Sequence, residues 1–286
     1  MSGALRIEDW IGRETVATDR VHAAPVRALA ATLDRDDPEP REGDALPPLW
    51  HWLFFLPHDR QSALGEDGHA RRGGFLPPIA LPRRMWAGGR FEFIRPLHIG
   101  EAVTRTSRIA DIQTKTGRSG PLAFVRVEHA ITGAEGVALR EEHDIVYRAA
   151  PTSKPNPTPA ADPSLAPTDE HFARAITPDP VLLFRYSALT FNGHRIHYDR
   201  SYAREVEGYP GLVVHGPLIA TLLVDLLRRE RPGAQLARFS FRALQPLFDT
   251  APFALCGRDA DSANLSLWAR DAKGCLAMQA DAVLVA

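Results

Sequence analysis

The pattern Arg-Phe-x-Phe occurs twice in this chain of 286 residues, at Arg90–Phe93 and Arg238–Phe241, so that equivalent positions lie 148 residues apart. Each copy reaches Pro-Leu within ten residues, at Pro96-Leu97 and Pro246-Leu247. The sequence that follows is also alike in the two places. After the first copy (91–94), segments rich in valine, isoleucine, threonine and phenylalanine run over 102–113, 121–132 and 137–147. After the second (238–244), such segments run over 252–258, 263–270 and 275–285. Glycine breaks at Thr116-Gly117 and Thr132-Gly133 separate them, and Asp271-Ala-Lys-Gly274 reads as a hairpin turn. A repeat spaced near half the chain length points to a duplicated unit, and each unit ends in an antiparallel meander.

The proline-rich stretch 150–168 holds almost no large apolar residue and reads as a linker. It divides the chain into an N-terminal unit, 1–149, and a C-terminal unit, 169–286. Before the second meander, Pro217–Arg229 reads as a helix, with proline in its first turn and Arg228-Arg229 in its last. It is apolar almost all round, so it is expected to be buried. In the first unit, 14–33 is a candidate helix. The apolar stretch Pro48–Pro57 is expected to be the remnant of that unit's central helix. An antiparallel sheet wrapped around one buried helix is the hot-dog architecture. The expected fold is therefore α+β: a double hot-dog, in which two such units form a pseudo-dimer with one continuous sheet.

Composition narrows the function classes. Hydrophobic residues make up 44% and charged residues 24%, and the formal net charge is −1. No basic stripe interleaves with aromatics, so nucleic acid is not an expected partner. The longest apolar run, around 218–227, is short and contains Asp225, so no membrane span is expected. The N-terminus lacks a secretory pattern, and Cys256 and Cys275 form no CxxC. A reduced, cytoplasmic protein is the expectation.

The chemistry concentrates in two segments. Residues 191–199 read Phe-Asn-Gly-His-Arg-Ile-His-Tyr-Asp, and residues 211–217 read Gly-Leu-Val-Val-His-Gly-Pro, opening the predicted helix. Imidazoles facing a helix N-terminus combine an acid/base group with a place to hold an oxyanion. Asp199 is the expected N-cap of a short following helix. His194 and His197 are not expected to bind metal, because no third ligand has suitable spacing.

The run Phe184–Asp199 with Gly211–Pro217 resembles the MaoC-like hydratase/dehydratase family. The likeness is closest to its two-hot-dog branch of mesaconyl-CoA and itaconyl-CoA hydratases and yeast-type mitochondrial 3-hydroxyacyl-thioester dehydratases. Gly73–Gly89 resembles the same branch. The wider family carries Asp-x-Asn-Pro-x-His, with aspartate and histidine gripping the reacting water. Here the histidine is His197 and the aspartate position is Asn192, while His194 and Arg195 replace the asparagine and proline.

The resemblance implies a hydro-lyase that adds or removes water across the α,β double bond of an enoyl-CoA thioester. His197 is the base, Asn192 orients the water, and the Gly216 N–H holds the enolate oxygen. Arg185, His194, Val214 and His215 are the candidate substrate contacts. Arg185 is a candidate for the free carboxylate of a branched dicarboxylyl group, or for a structural salt bridge. The aromatics Trp50, Trp52, Phe54, Phe55 and Trp86 either shorten the acyl pocket or form core. No cofactor or metal is expected beyond the CoA of the substrate. The N-terminal unit is catalytically degenerate on this reading, and a homodimer is a candidate assembly. The alternatives are a 3-hydroxyacyl-thioester dehydratase of fatty acid metabolism, a hot-dog thioesterase and a non-catalytic acyl-CoA-binding protein.

Overall fold

The computed structural model describes residues 6–117, 120–149 and 164–285. Ten strands form one antiparallel sheet. The first five are β1 (Glu14–Arg20), β2 (Arg83–Phe93), β3 (Ala102–Gly117), β4 (Gly120–Gly133) and β5 (Gly136–Arg148). The second five are β6 (Phe172–Ile176), β7 (Leu236–Ala243), β8 (Phe253–Asp259), β9 (Asn264–Arg270) and β10 (Leu276–Leu284). Their order across the sheet is β1-β3-β4-β5-β2-β7-β10-β9-β8-β6. Outward from the centre, the N-terminal half runs 2-5-4-3-1 and the C-terminal half runs 7-10-9-8-6, the same topology twice.

The repeat itself forms the junction. Phe91 of β2 pairs with Phe239 of β7, and these are equivalent positions of the repeat. The pseudo-twofold axis therefore passes through this pair. Both rings are buried, and Phe91 also stacks with Phe241 at 6.1 Å. This architecture is the double hot-dog that the sequence led us to expect.

Three helices complete the fold: α1 (Ala23–Thr32), α2 (Pro180–Leu189) and α3 (Gly216–Glu230). Helix α3 extends the predicted 217–229 by one residue at each end, and every residue from Leu218 to Leu227 is buried. One of them is Asp225, which is 1% exposed. Its carboxylate meets Arg35 at 2.6 Å, Arg174 at 2.8 Å and Arg229 at 2.8 Å. These arginines come from the chain after α1, from β6 and from α3, so one buried charge ties both halves together.

The N-terminal expectations need two corrections. Residues 14–33 do not form one helix. The β-branched residues of Glu14–Arg20 pair with β3, and only 23–32 is helical, with Pro25 in the first turn. In the stretch 48–57 the helix is reduced to a single 3-10 turn, Trp50–Leu53. Leu49 and Phe55, with φ of 68° and 56°, flank that turn in the left-handed region and stop it from propagating. Trp50, Phe54 and Phe55 are core, whereas Trp52 and Trp86 are partly buried against it.

Strand β6 and helix α2 were not foreseen. Asp179 caps α2 by accepting from the Leu182 N–H at 2.8 Å, and Pro180 occupies the first turn. Most of the proline-rich stretch, 150–163, lies outside the described residues. Its end is already bound in, since Ala166 N–H donates to the Gly274 carbonyl at 2.9 Å. The predicted turn at 271–274 closes as expected, with Gly274 at φ 82° and Asp271 N–H donating to Cys275 at 2.9 Å.

Candidate active site

Helix α2 ends at Leu189, and the chain turns sharply at Phe191, whose φ is 48°. Asn192 follows in a tight turn. Its N–H donates to the Ser187 carbonyl at 2.8 Å, and its side-chain oxygen accepts from the His194 N–H at 3.0 Å. Arg195–His197 form a 3-10 turn. Asp199 then caps the next turn, accepting from the Tyr202 N–H at 3.0 Å, as its place in the sequence predicts. Residues 211–215 run extended beside this loop. Val213 N–H donates to Ile196 at 3.0 Å and Val214 N–H to Leu247 at 2.9 Å, delivering Gly216 to the first position of α3.

His197 is where these two segments meet. Its Nδ1 lies 2.7 Å from the Val213 carbonyl oxygen. A carbonyl only accepts, so Nδ1 carries the proton and Nε2 keeps its lone pair. Burial pushes this imidazole down to about 4, against the supporting pull of the Val213 carbonyl. His197 is therefore neutral near pH 7 and has a free basic nitrogen.

The other histidines line up with it. His215 stacks face to face on His197, with centroids 3.7 Å apart and planes 17° apart. His215 is fully buried, and its Nε2 lies 2.8 Å from the Ser187 hydroxyl of α2. Burial holds it far below the usual imidazole range. On the other side, His194 meets His197 edge-on at 5.4 Å and His69 at 4.0 Å. Four rings thus form a column that begins in the N-terminal half and ends against α2.

The N-terminal half reaches the site through a loop that sequence reasoning missed. Arg195 N–H donates to the Asp67 carbonyl at 2.9 Å, and its guanidinium donates to the Glu66 carbonyl at 3.1 Å. Gly68, with φ of 86°, lies so close to Gly193 that a Cβ at position 68 would stand 1.8 Å from the Gly193 oxygen. The Asp67 carboxylate bonds His69 Nδ1 at 3.1 Å. One ligand atom from each of Asp67, His69 and His194 falls within 4.8 Å of the others, close enough to share one cation. The sequence reading had found no third ligand for this region. Local spacing offers none, but the fold brings Asp67 and His69 from the other half. A second such group, His129, Glu141 and His143, lies on the inner face of β4 and β5.

The predicted residues separate on inspection. Asn192, His194, His197, Val214, His215 and Gly216 are brought together. His215 and Val214 are buried behind the His197 ring and the helix start, so they shape the site rather than line it. Gly216 opens α3, and its nearest foreign atom is the Trp86 carbonyl, 3.9 Å from where a Cβ would stand. Asn192 places its oxygen in the turn, so water is not its only partner. Arg185 points away: it lies on the exposed side of α2 with Phe184, while Tyr186 and Ser187 face inward. Among the described residues it forms no salt bridge, which removes the structural ion pair from its expected roles.

A buried imidazole with a free Nε2, set against the first turn of a buried central helix in a double hot-dog, defines a class of acyl-thioester protein. The chain belongs to the hydroxyacyl-thioester dehydratase type 2 family, whose model matches residues 49–249. It is 50% identical over 271 residues to the mesaconyl-C(4)-CoA hydratase of Chloroflexus aurantiacus, a match that covers 95% of each chain. It is 28% identical to the mitochondrial hydroxyacyl-thioester dehydratase type 2 of Schizosaccharomyces pombe, over 85% of this chain and 89% of that one. Among solved structures, a MaoC-like dehydratase superposes with a TM-score of 0.72 at 15% identity, covering 98% of this chain and 100% of that one. A Mycobacterium tuberculosis protein with a double hot-dog fold superposes with a TM-score of 0.58 at 14% identity, covering 96% of each chain.

Proposed function

We propose that this protein is a hydro-lyase acting on an α,β-unsaturated acyl-CoA, with a short branched dicarboxylyl group of the mesaconyl type as its acyl chain. The observation that carries the reaction is His197: its tautomer is fixed by Val213, and its Nε2 is free beside the α3 N-terminus. The substrate class is supported by the half-identical relative from Chloroflexus.

In the hydration direction, His197 Nε2 takes a proton from water as the oxygen bonds the β-carbon. The π electrons move to the thioester, and the Gly216 N–H holds the resulting enolate oxygen. A donor of this kind is typically worth about 3–4 kcal/mol in the transition state. The enolate collapses as its α-carbon takes a proton. Asn192 carries no transferable charge, so His197, protonated in the first step, also serves as the acid. The thioester itself acidifies the α-position, so the sequence of steps calls on no cofactor. The N-terminal half contributes walls and loops and no base of its own to these steps.

The buried, unbridged thiols of Cys256 and Cys275 suit a reducing compartment such as the cytoplasm. Among the described residues no helix is long and apolar enough to cross a membrane. We extend the proposal to a homodimer, which light scattering tests.

The decisive assay follows the enoyl-thioester absorbance with mesaconyl-C4-CoA, itaconyl-CoA and crotonyl-CoA while free CoA is measured in parallel. Loss of the band without CoA release supports a hydratase, and CoA release moves the assignment to a thioesterase. His197→Ala is expected to abolish turnover in a folded protein that still binds CoA esters. An active His197→Ala variant would remove the base assignment.

A further inference from the structure

We propose that Arg84 binds the free carboxylate of the dicarboxylyl group and thereby selects that substrate over an uncharged one. The inference rests on the hydratase reading above and adds the residue that sets acyl specificity.

Position comes first. On β2, Arg84 pairs with Tyr147 and Trp86 pairs with Ile145 of β5. Residues two apart on a strand share a face and lie about 6–7 Å apart along it. Tyr147 is buried and Trp86 packs against Phe241, so this is the inner face of the sheet. The Trp86 carbonyl is the atom nearest the helix-opening Gly216, 3.9 Å from its missing Cβ. Arg84 therefore stands one pleat from the proposed oxyanion position. Its charge also reaches His69 and His194, adding to the burial that lowers both. His194 in turn touches the His197 ring.

Charge comes second. The arginines around the site are matched: Arg83 pairs with Glu207 at 3.0 Å, Arg195 with Asp199 at 2.7 Å and Arg200 with Asp249 at 2.5 Å. Arg72, whose guanidinium lies over the Tyr147 ring, donates to the Ile79, Leu81 and Pro82 carbonyls. Arg84 is half-buried, and among the described residues no carboxylate pairs with it. Its side-chain neighbour is the Tyr147 hydroxyl, which carries no charge, so the guanidinium is left to take an anion from a ligand.

The substrate supplies such an anion where it is needed. In the 4-thioester of methylfumarate, the β-carbon that receives water also bears the free carboxylate. That carboxylate must lie within one bond of the reacting carbon, beside His197. A planar guanidinium offers it two parallel N–H donors. The phosphates of CoA are the other anions that Arg84 can meet, and the test separates the two.

The test compares mesaconyl-C4-CoA with 3-methylcrotonyl-CoA, in which a methyl replaces the carboxylate, using wild type, Arg84→Gln and Arg84→Lys. The wild type is expected to prefer the carboxylate, and the ratio of kcat/KM values to fall about 100-fold in Arg84→Gln and less in Arg84→Lys. Inhibition by the saturated pair methylsuccinyl-CoA and isovaleryl-CoA is expected to lose the same preference. Parallel losses that leave both ratios unchanged would assign Arg84 to a CoA phosphate and overturn the proposal, as would a wild type with no preference. The inhibition ratio needs no turnover. A protein that hydrates neither ester would therefore refute the hydratase reading while still reporting on Arg84.

Discussion

Lowering the pH tests the burial of His197 in two ways. The imidazole has an ordinary value of 6.5 and is pushed to about 4 in the fold. Between those values the unfolded chain binds a proton that the folded protein refuses, so stability rises with pH through this window. The contribution is fully present above pH 6.5 and is lost as the pH falls towards 4. At pH 5 the loss from His197 alone, relative to pH 7.5, is about 2 kcal/mol. The group is almost wholly enclosed, so solvent screening does not dilute the figure. His194, His215 and His129 are lowered in the same direction by burial, so the whole protein is expected to lose more.

The perturbation is therefore pH 7.5 to 5, in wild type and in His197→Gln, which cannot titrate. Urea unfolding midpoints at both pH values give the loss for each. The wild type is expected to lose about 2 kcal/mol more than the variant. Activity supplies the independent reading, because the pH dependence of kcat/KM reports the free enzyme. The acid limb for hydration is expected near pH 4, with full activity at pH 5.5. An acid limb near 6.5 would refute the argument, as would equal stability losses in wild type and variant. Either result would mean that His197 is solvated in solution.

Two other changes probe how the site is held. Gly68→Ala would drive a methyl into the Gly193 carbonyl at a φ of 86°. It is expected to lower kcat/KM by at least about tenfold, with the circular dichroism of the core retained, because displacement of a positioning loop is enough for such a loss. Asp225→Ala leaves Arg35, Arg174 and Arg229 without their shared carboxylate. Breaking a buried pair by removing one partner costs about 3–5 kcal/mol, read from urea unfolding.

The architecture was legible because it is written twice. The Arg-Phe-x-Phe repeat marked the two strands that join at the axis, and enrichment in β-branched and aromatic residues between glycine breaks located eight of the ten strands. The short outer strands β1 and β6 escaped. Five to seven residues with a mixed polar pattern look the same in a helix, and pairing with β3 or β8 decides the matter. The central helix of the N-terminal half was overestimated, because apolar content does not reveal that Leu49 and Phe55 adopt left-handed backbone. Within the site, His197 and Gly216 were readable from their motif. His69 and Gly68 were not, and Trp86 could be read only as pocket wall or core, because their place comes from where the other half of the chain meets the motif. Nearness in sequence to Asn192 likewise does not reveal that Arg185 sits on the exposed side of α2.

That distribution explains why the chain keeps an N-terminal half that lacks both a long central helix and the motif. The loop Gly193–Arg195 is bonded within its own half by Asn192, Tyr198 and Asp199, and it also needs the other half. Its Arg195 N–H donates to the Asp67 carbonyl, the Arg195 guanidinium donates to Glu66, and its path requires the bare surface of Gly68. The α3 N-terminus is approached by the Trp86 carbonyl, and near the far end of α3 Arg229 donates to the Leu33 and Asp34 carbonyls. Each end of the catalytic helix is thus completed by the other half, across a junction that also buries Phe91 and Phe239. On the proposed mechanism one half carries the acid/base chemistry and the other supplies supports to it. The C-terminal half alone would expose the β7 edge and lose the supports of its own catalytic loop, so it is expected to be neither soluble nor active.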